Sequence, residues 1–487
     1  MTRVLRHARP LGGHEPIDVV VDDGVITGVL PAGTAPQGAH DIDLDGRWVL
    51  PGLWDEHVHL TQWALHRRRV DLAGAASAAE AAAIVRGAVG RGEARDAVVV
   101  GVGFRDALWP EVPTASLLDT AVVDRPVVLV SADVHCVWLN SAALVRFGVE
   151  ADDNGVLRED AAFAITALLD GADDAELDRW VAEAAADAAG RGVVGVVDLE
   201  MRWGLDDWRR RVASGFDALR VEMGVYPDDL ERAIALGLRS GDVVGGNVTV
   251  GPLKVITDGS LNTRTAYCCD PYPDAPAEAY GRLNVPPCTL QPLLRRGSSA
   301  GFDLAVHAIG DGANKLALDA FAMLGVGGRI EHAQLVHEND FARFAALGVT
   351  ASVQPEHALD DRDVAERYWP GRTARAFALR SFVEAGARLI LGSDAPVAPL
   401  DPWISVAAAT ARTRDEREPF HAEQALTVVE ALAASTRSTI AVGQPADLIA
   451  VDADPLAVDA AALRAMPVSL TLLAGRSTFD ALSSIEV

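Results

Sequence analysis

The sequence predicts a (β/α)8 TIM barrel carrying a small β-sandwich built from both chain termini. Three observations predict it. Eight short β-branched runs bounded by Gly, Pro or Asp recur along the chain, with amphipathic helical stretches in most of the gaps. The two ends alternate polar and apolar residues and need no intervening helix. The length, 487 residues, exceeds one minimal domain but suits a large barrel with an appendage. A doubly wound sheet is the alternative, yet no Gly-rich phosphate turn follows any of the eight runs.

Taken in order, IDVVVDDGVITGVLP (17–31) reads as an antiparallel hairpin around an Asp-Gly turn, and DIDLDGRWVLP (41–51) repeats the pattern. Near the other end, ADLIAVDADP (446–455) and VSLTLLAGRSTF (468–479) read as strands with no helix needed between them. The two ends, 1–51 and 441–487, are therefore expected to meet as one β-domain. Residues 52–440 form the barrel. Its strands are predicted at 53–60, 192–200, 219–226, 250–259, 302–310, 329–335, 349–356 and 387–396. Helices are expected between them, for example over 176–190 and 372–386. The first gap, about 61–191, is too long for a loop and holds two further strand-like runs (97–104 and 125–133), so it reads as an inserted α/β subdomain. Residues 260–288, rich in Tyr, Pro, Asn and Thr, are expected to form a lid over the barrel mouth. The 61–191 insert is expected to cover the same mouth.

The net charge of −26 argues against a nucleic-acid or anionic-membrane partner. Hydrophobic content of 49% and charged content of 23% belong to a soluble globular protein. Four cysteines in no metal-binding spacing read as free thiols of a reducing compartment. With no secretory leader and no membrane-length apolar run evident, the expected location is cytoplasmic. A small molecule is the expected partner, and the sequence admits a homo-oligomer.

Barrel enzymes carry their reactive groups at the C-terminal ends of the strands. Strand one ends in His57-Val58-His59, whose two-residue spacing aims both imidazoles to one side. Strand four carries Lys254, strand five His307, strand six His332 and strand eight Asp394. Any one of these histidines alone would read as a core or surface residue, but five strands of eight offering a ligand at one mouth point to a metal site. Imidazoles and a carboxylate suit zinc or a similar divalent ion. The chain has only two lysines against 41 arginines, from 43 Lys+Arg in all, so Lys254 inside an apolar strand is chemically pointed. Burial lowers a lysine pKa, and a neutral amine can add carbon dioxide to give a carbamate whose oxygens bridge two cations. Arginine cannot do this.

WVLPGLWDEHVHL, LKVITDGSLNTRTA, HAIGD, RIEHAQL, SVQPEH, GSDAP and ADLIAVDADP, in this order, resemble the amidohydrolase superfamily. More narrowly they resemble its branch that includes N-substituted formamide deformylases, and the likeness extends to RPVVLVSADVHCVWLNSAAL in the insert. The resemblance implies that His57, His59 and Asp394 hold the more buried metal, that carbamylated Lys254 bridges, and that His307 and His332 hold a second ion. It implies Asp394 as the proton shuttle. The implied function is hydrolysis of an amide, formamide or carbamate-like carbon–nitrogen bond, other than a peptide bond, by metal-activated hydroxide, with one or two zinc ions and carbon dioxide as lysine carbamate. The alternatives are a mononuclear amidohydrolase with unmodified lysine and a catalytically silent metal-binding barrel. Three further residues are candidates for the substrate: His135 (or a structural histidine), Arg264 (or a lid salt bridge) and His357 (or a surface histidine). Glu331 and Gln334, flanking His332, are candidates to orient it. The sequence departs from the superfamily pattern at Glu56, at Gly312 and in a short 435–448 link.

Overall fold

The computed structural model describes residues 2–37, 40–89, 98–123, 125–149, 154–169, 173–273 and 279–482. Parts of the predicted insert (90–97, 150–153, 170–172) and lid (274–278), and the last five residues, lie outside them.

Eight parallel strands form the barrel, in chain order Leu53–Val58, Val193–Asp198, Arg220–Val225, Val248–Ile256, Leu304–Ala308, Gly328–His332, Val349–Val353 and Leu389–Leu391. Each pairs with the next in parallel register, and a bridge between Val58 and Ala395 brings the eighth back to the first. These are the eight predicted runs. Val193–Asp198 shows why they read as continuous apolar stretches, since all six of its residues are buried between the barrel interior and the helix layer. Its Gly195 makes room for Trp54 of strand one, because a Cβ there would meet the indole at 2.5 Å. The helix before it, Asp174–Ala189, starts where the Asp173 side chain accepts from the Glu176 amide and buries Leu177, Val181, Ala184, Ala185 and Ala188.

Strands from both termini share a second, eight-stranded sheet, the small sandwich domain, around Leu5, Val19, Ile26, Leu448 and Leu470. The 17–31 hairpin is present, with positive φ at both Asp23 and Gly24 as a tight primed turn requires. Its predicted repeat is not a hairpin. Ile42–Asp43 and Trp48–Pro51 do not pair with each other; each lies parallel to Arg3–Pro10, because that strand is long enough to take both as neighbours. A five-residue helix, Ala460–Arg464, also intervenes between the two late strand regions, capped by Asp459. Arg220 of the barrel grips Asp447 of the sandwich at 2.8 and 3.0 Å.

The insert is built on a five-stranded sheet rather than two strands, with Val70–Asp71, Cys136–Leu139 and Val156–Arg158 added to Val99–Phe104 and Val127–Ser131. The additions have two to four residues each, too short to show a period in sequence. The helix predicted over 372–386 shrinks to Leu379–Glu384 after a 3-10 turn at Thr373–Arg375, since Phe377 takes φ +51 and breaks it. No helix among the described residues is long and apolar enough to cross a membrane.

Candidate metal centre

The strand ends bring their side chains into one buried cluster. Nε2 of His57 lies 3.2 Å from Asp394 Oδ1 and Nε2 of His59 lies 3.3 Å from the same oxygen. Lys254, 2% exposed, holds its Nζ 3.4 Å from His57 Nε2. The rings of His57 and His332 stand 4.9 Å apart, and those of His307 and His332 4.5 Å apart. His332 Nδ1 and His357 Nε2 face the other oxygen, Asp394 Oδ2, at 3.9 and 3.8 Å. Two donor sets result, His57–His59–Asp394 and His332–His357–Asp394. His307 Nε2 turns instead to Gly259 O and Asp258 Oδ1, each at 3.4 Å. His332 and Ala333, at the end of strand six, and Asp394, three residues past strand eight, all have positive φ, so the chain turns sharply there.

The electrostatics follow from burial. Desolvation lowers the His57 pKa to about 4, helped by Lys254, and it pushes His307 and His332 well below the ordinary range. His357 is lowered by the same cause. His59 is pushed down by burial too, but its hydrogen bond to Asp394 and that carboxylate's charge outweigh this and raise it. Burial opposes the ionisation of Asp394, and the surrounding imidazoles overcome it, holding the carboxyl well below its usual value. Lys254 is lowered to about 8, chiefly by burial.

These donors fit a divalent cation. His57 Nδ1–H donates to Glu331 Oε2 at 2.7 Å, and His332 Nδ1–H donates to Gln354 Oε1 at 2.8 Å. Each bond leaves the lone pair of Nε2 free for a ligand position. His59 Nδ1 and His357 Nε2 are buried and have no hydrogen-bond partner. Imidazole nitrogens crowded around an ionised carboxylate are what such an ion binds and what a protein otherwise avoids burying.

The orienting residues differ from the sequence expectation. Glu331 backs His57 across the barrel and is itself ion-paired to Arg329 at 2.5 Å. Gln334 meets His357, its Nε2 3.3 Å from Nδ1. Neither bonds its sequence neighbour His332, because adjacent residues diverge along a strand and the positive φ at His332 turns the chain again. Gln354, which does bond His332, was overlooked; SVQPEH held the signal, a polar residue closing the neighbouring strand. Glu56 points to the opposite end of the barrel, where it pairs with Arg437 at 2.6 Å and Arg329 at 3.3 Å.

A cavity opens above the cluster. His135 and His357 line it, with Arg105, Asp133 and Phe163 from the insert and Ser260, Leu261 and Asn262 from the 260–288 connection. Arg264 does not line it; its guanidinium lies 5.4 Å over the ring of Tyr368. Lys315 is exposed on its helix.

A family model described as "Amidohydrolase family" matches residues 41–479. Protein LONG AFTER FAR-RED 3 of Arabidopsis thaliana is 31% identical over 413 residues, covering 77% of this chain and 70% of that protein. N-substituted formamide deformylase of Arthrobacter pascens is 25% identical over 91% of this chain and 90% of its own length. An uncharacterized metal-dependent hydrolase from Pyrococcus horikoshii OT3 superposes with a TM-score of 0.80 at 26% identity, covering 95% of this chain and 99% of that one.

Proposed function

The chain belongs to the amidohydrolase family, and from that premise we propose that it hydrolyses a carbon–nitrogen bond of a small amide, formamide or carbamate with one or two divalent cations, zinc foremost. The observation that carries the proposal is the convergence of His57 and His59 on Asp394 beside a buried lysine. In this reading His57, His59 and Asp394 would hold one cation, His307 and His332 would hold a second, and Lys254 as its carbamate would serve both. What such a cation would supply is a bound water of pKa about 7 and a polarised carbonyl.

The chain's own residues supply the rest. Asp394, kept ionised, accepts the attacking water's proton on a carboxylate oxygen and passes it to the departing nitrogen. Glu331 fixes the imidazole of His57 so that Nε2 faces Asp394, and Gln354 holds the His332 ring by Nδ1. Lys254, whose pKa burial lowers to about 8, has neutral amine available to attack carbon dioxide. The N–C bond forms as one C=O π bond opens onto oxygen, and the proton lost from nitrogen passes to solvent water. Residues of the insert and Ser260, Leu261 and Asn262 line the cavity above the cluster.

A mononuclear centre with unmodified lysine is the second reading. It is favoured by His307, whose Nε2 turns to Gly259 O rather than to Asp394. Both readings are tested by counting cations per chain and assaying N-substituted formamides, amides and carbamates before and after chelation. Turnover lost on chelation and restored by zinc is expected, with two ions per chain. One ion with full turnover selects the mononuclear centre. Cation uptake without hydrolysis of any class leaves a silent barrel.

A further inference from the structure

The insert brings a second buried acid–imidazole pair to the same cavity. Glu159 takes Nδ1 of His135 on one carboxylate oxygen at 2.9 Å. The other oxygen accepts the hydroxyls of Thr263 and Thr265 at 2.9 and 2.5 Å. A carboxylate that receives so many donors is ionised, and one buried to 4% exposure needs a cationic partner. Among the described residues, the group that hydrogen-bonds it and can carry a positive charge is His135. With Nδ1 engaged, Nε2 is the remaining donor of that imidazolium, on a ring that lines the cavity edge-on to Phe163 at 5.2 Å.

The backbone is bent to hold this pair. Glu159 has φ +52 and ψ −127, and Val134, just before His135, has φ +57. Both conformations are costly for side-chain-bearing residues, and such costs persist where the surroundings over-determine them. Here they are over-determined twice. The Glu159 amide donates to His135 O at 2.9 Å, and Asp133 accepts both the His135 amide at 3.2 Å and the Ser260 hydroxyl at 2.8 Å. A clip between insert and lid alone would not require an imidazole facing the cavity.

We propose that His135 is the cavity's donor to negative oxygen, hydrogen-bonding from Nε2 to an acyl oxygen of the substrate, with Glu159 as its positioning residue. The assignment of that oxygen to an acyl group rests on the hydrolase reading above; the donor itself does not. An amide carbonyl gains negative charge as water adds, and a preorganised cationic donor beside it is strengthened by the dry site.

Inorganic phosphate is the probe, titrated by calorimetry into the cation-loaded full chain and into His135→Gln and Glu159→Gln. Binding at least tenfold weaker in both variants, with cation content kept, is the expected result. Equal affinity in folded, loaded variants overturns the proposal, as does a parent chain that binds no phosphate. Loss of cation together with phosphate would assign the pair to the cation centre and overturn it too. If one variant does not fold the other carries the test; if neither folds, the pair is a structural clip and the proposal fails. A parent that takes up no cation sinks the hydrolase reading separately, and the same comparison on cation-free chain still decides His135.

Discussion

Lys254 concentrates the chemistry of this chain in one amine. Its stem is buried beside His57, where a guanidinium would bring a permanent charge against cations and could not carry carbon dioxide. Lys254→Ala is expected to lose bound cation and activity together, with partial recovery of both in added acetate or formate. Lys254→Arg is expected to recover neither, and full activity in it would refute the bridging role. Asp394→Asn keeps an oxygen near His57 and His59 but cannot accept a proton. Its turnover should fall by roughly 10²–10⁴-fold, the span of general acid–base effects, while the denaturant midpoint moves little. Near-normal kcat in a cation-replete Asp394→Asn would remove Asp394 from the proton path.

At the scale of elements, the centre depends on how closely strand eight approaches strand one. Gly392 permits it, since a Cβ there would sit 2.8 Å from the His57 amide nitrogen and 2.9 Å from its Cβ. Backbone cannot yield as a side-chain tip can, so Gly392→Ala should cost about 1–3 kcal/mol and weaken cation binding. Urea unfolding and a cation titration check both, and unchanged values would show that the strands can part freely. Farther along the chain, the helix Val428–Ala434 opens with a capping box between Thr427 and Glu430. Arg380 first, and then Thr427, hold the Glu430 carboxyl at about 2, below its ordinary 4.5. A carboxyl depressed by folding stabilises above its unfolded pKa and loses that contribution as pH falls through the folded one. Glu430→Gln should therefore be less stable than the parent at pH 7, and the gap should close between about pH 4.5 and 2.

For the molecule as a whole, the cluster of four imidazoles around one carboxylate is an internal surplus of ligand atoms, and an ion that binds only the folded state stabilises it by mass action. Cation at a hundred times its Kd is expected to add about 2.7 kcal/mol, read as a shift of the chemical-denaturation midpoint between chelated and loaded protein. No shift would mean that the ion is not held by the folded cluster. The same scale explains why several apolar cores coexist among the described residues. Barrel, sandwich and insert each bury their own apolar set, and pairs such as Arg220–Asp447 join barrel to sandwich.

The eight strands, the hairpin at 17–31 and the common aim of His57 and His59 were legible in sequence because each is a local matter. Continuous apolar runs mark buried strands, Asp-Gly marks a tight turn, and a two-residue spacing aims His57 and His59 together. Short edge strands of the insert escaped, having too few residues to show a period. So did the partners of the histidines. Glu331 serves His57 from 274 residues away, and Gln354 rather than Gln334 serves His332. Such pairings depend on which strands lie side by side and where a positive φ turns the chain. Sequence determined which side chains could bind a cation; the closed barrel decided that Nε2 of His57 and of His59 faces Asp394, and brought Glu159 and His135 of the insert to the same cavity.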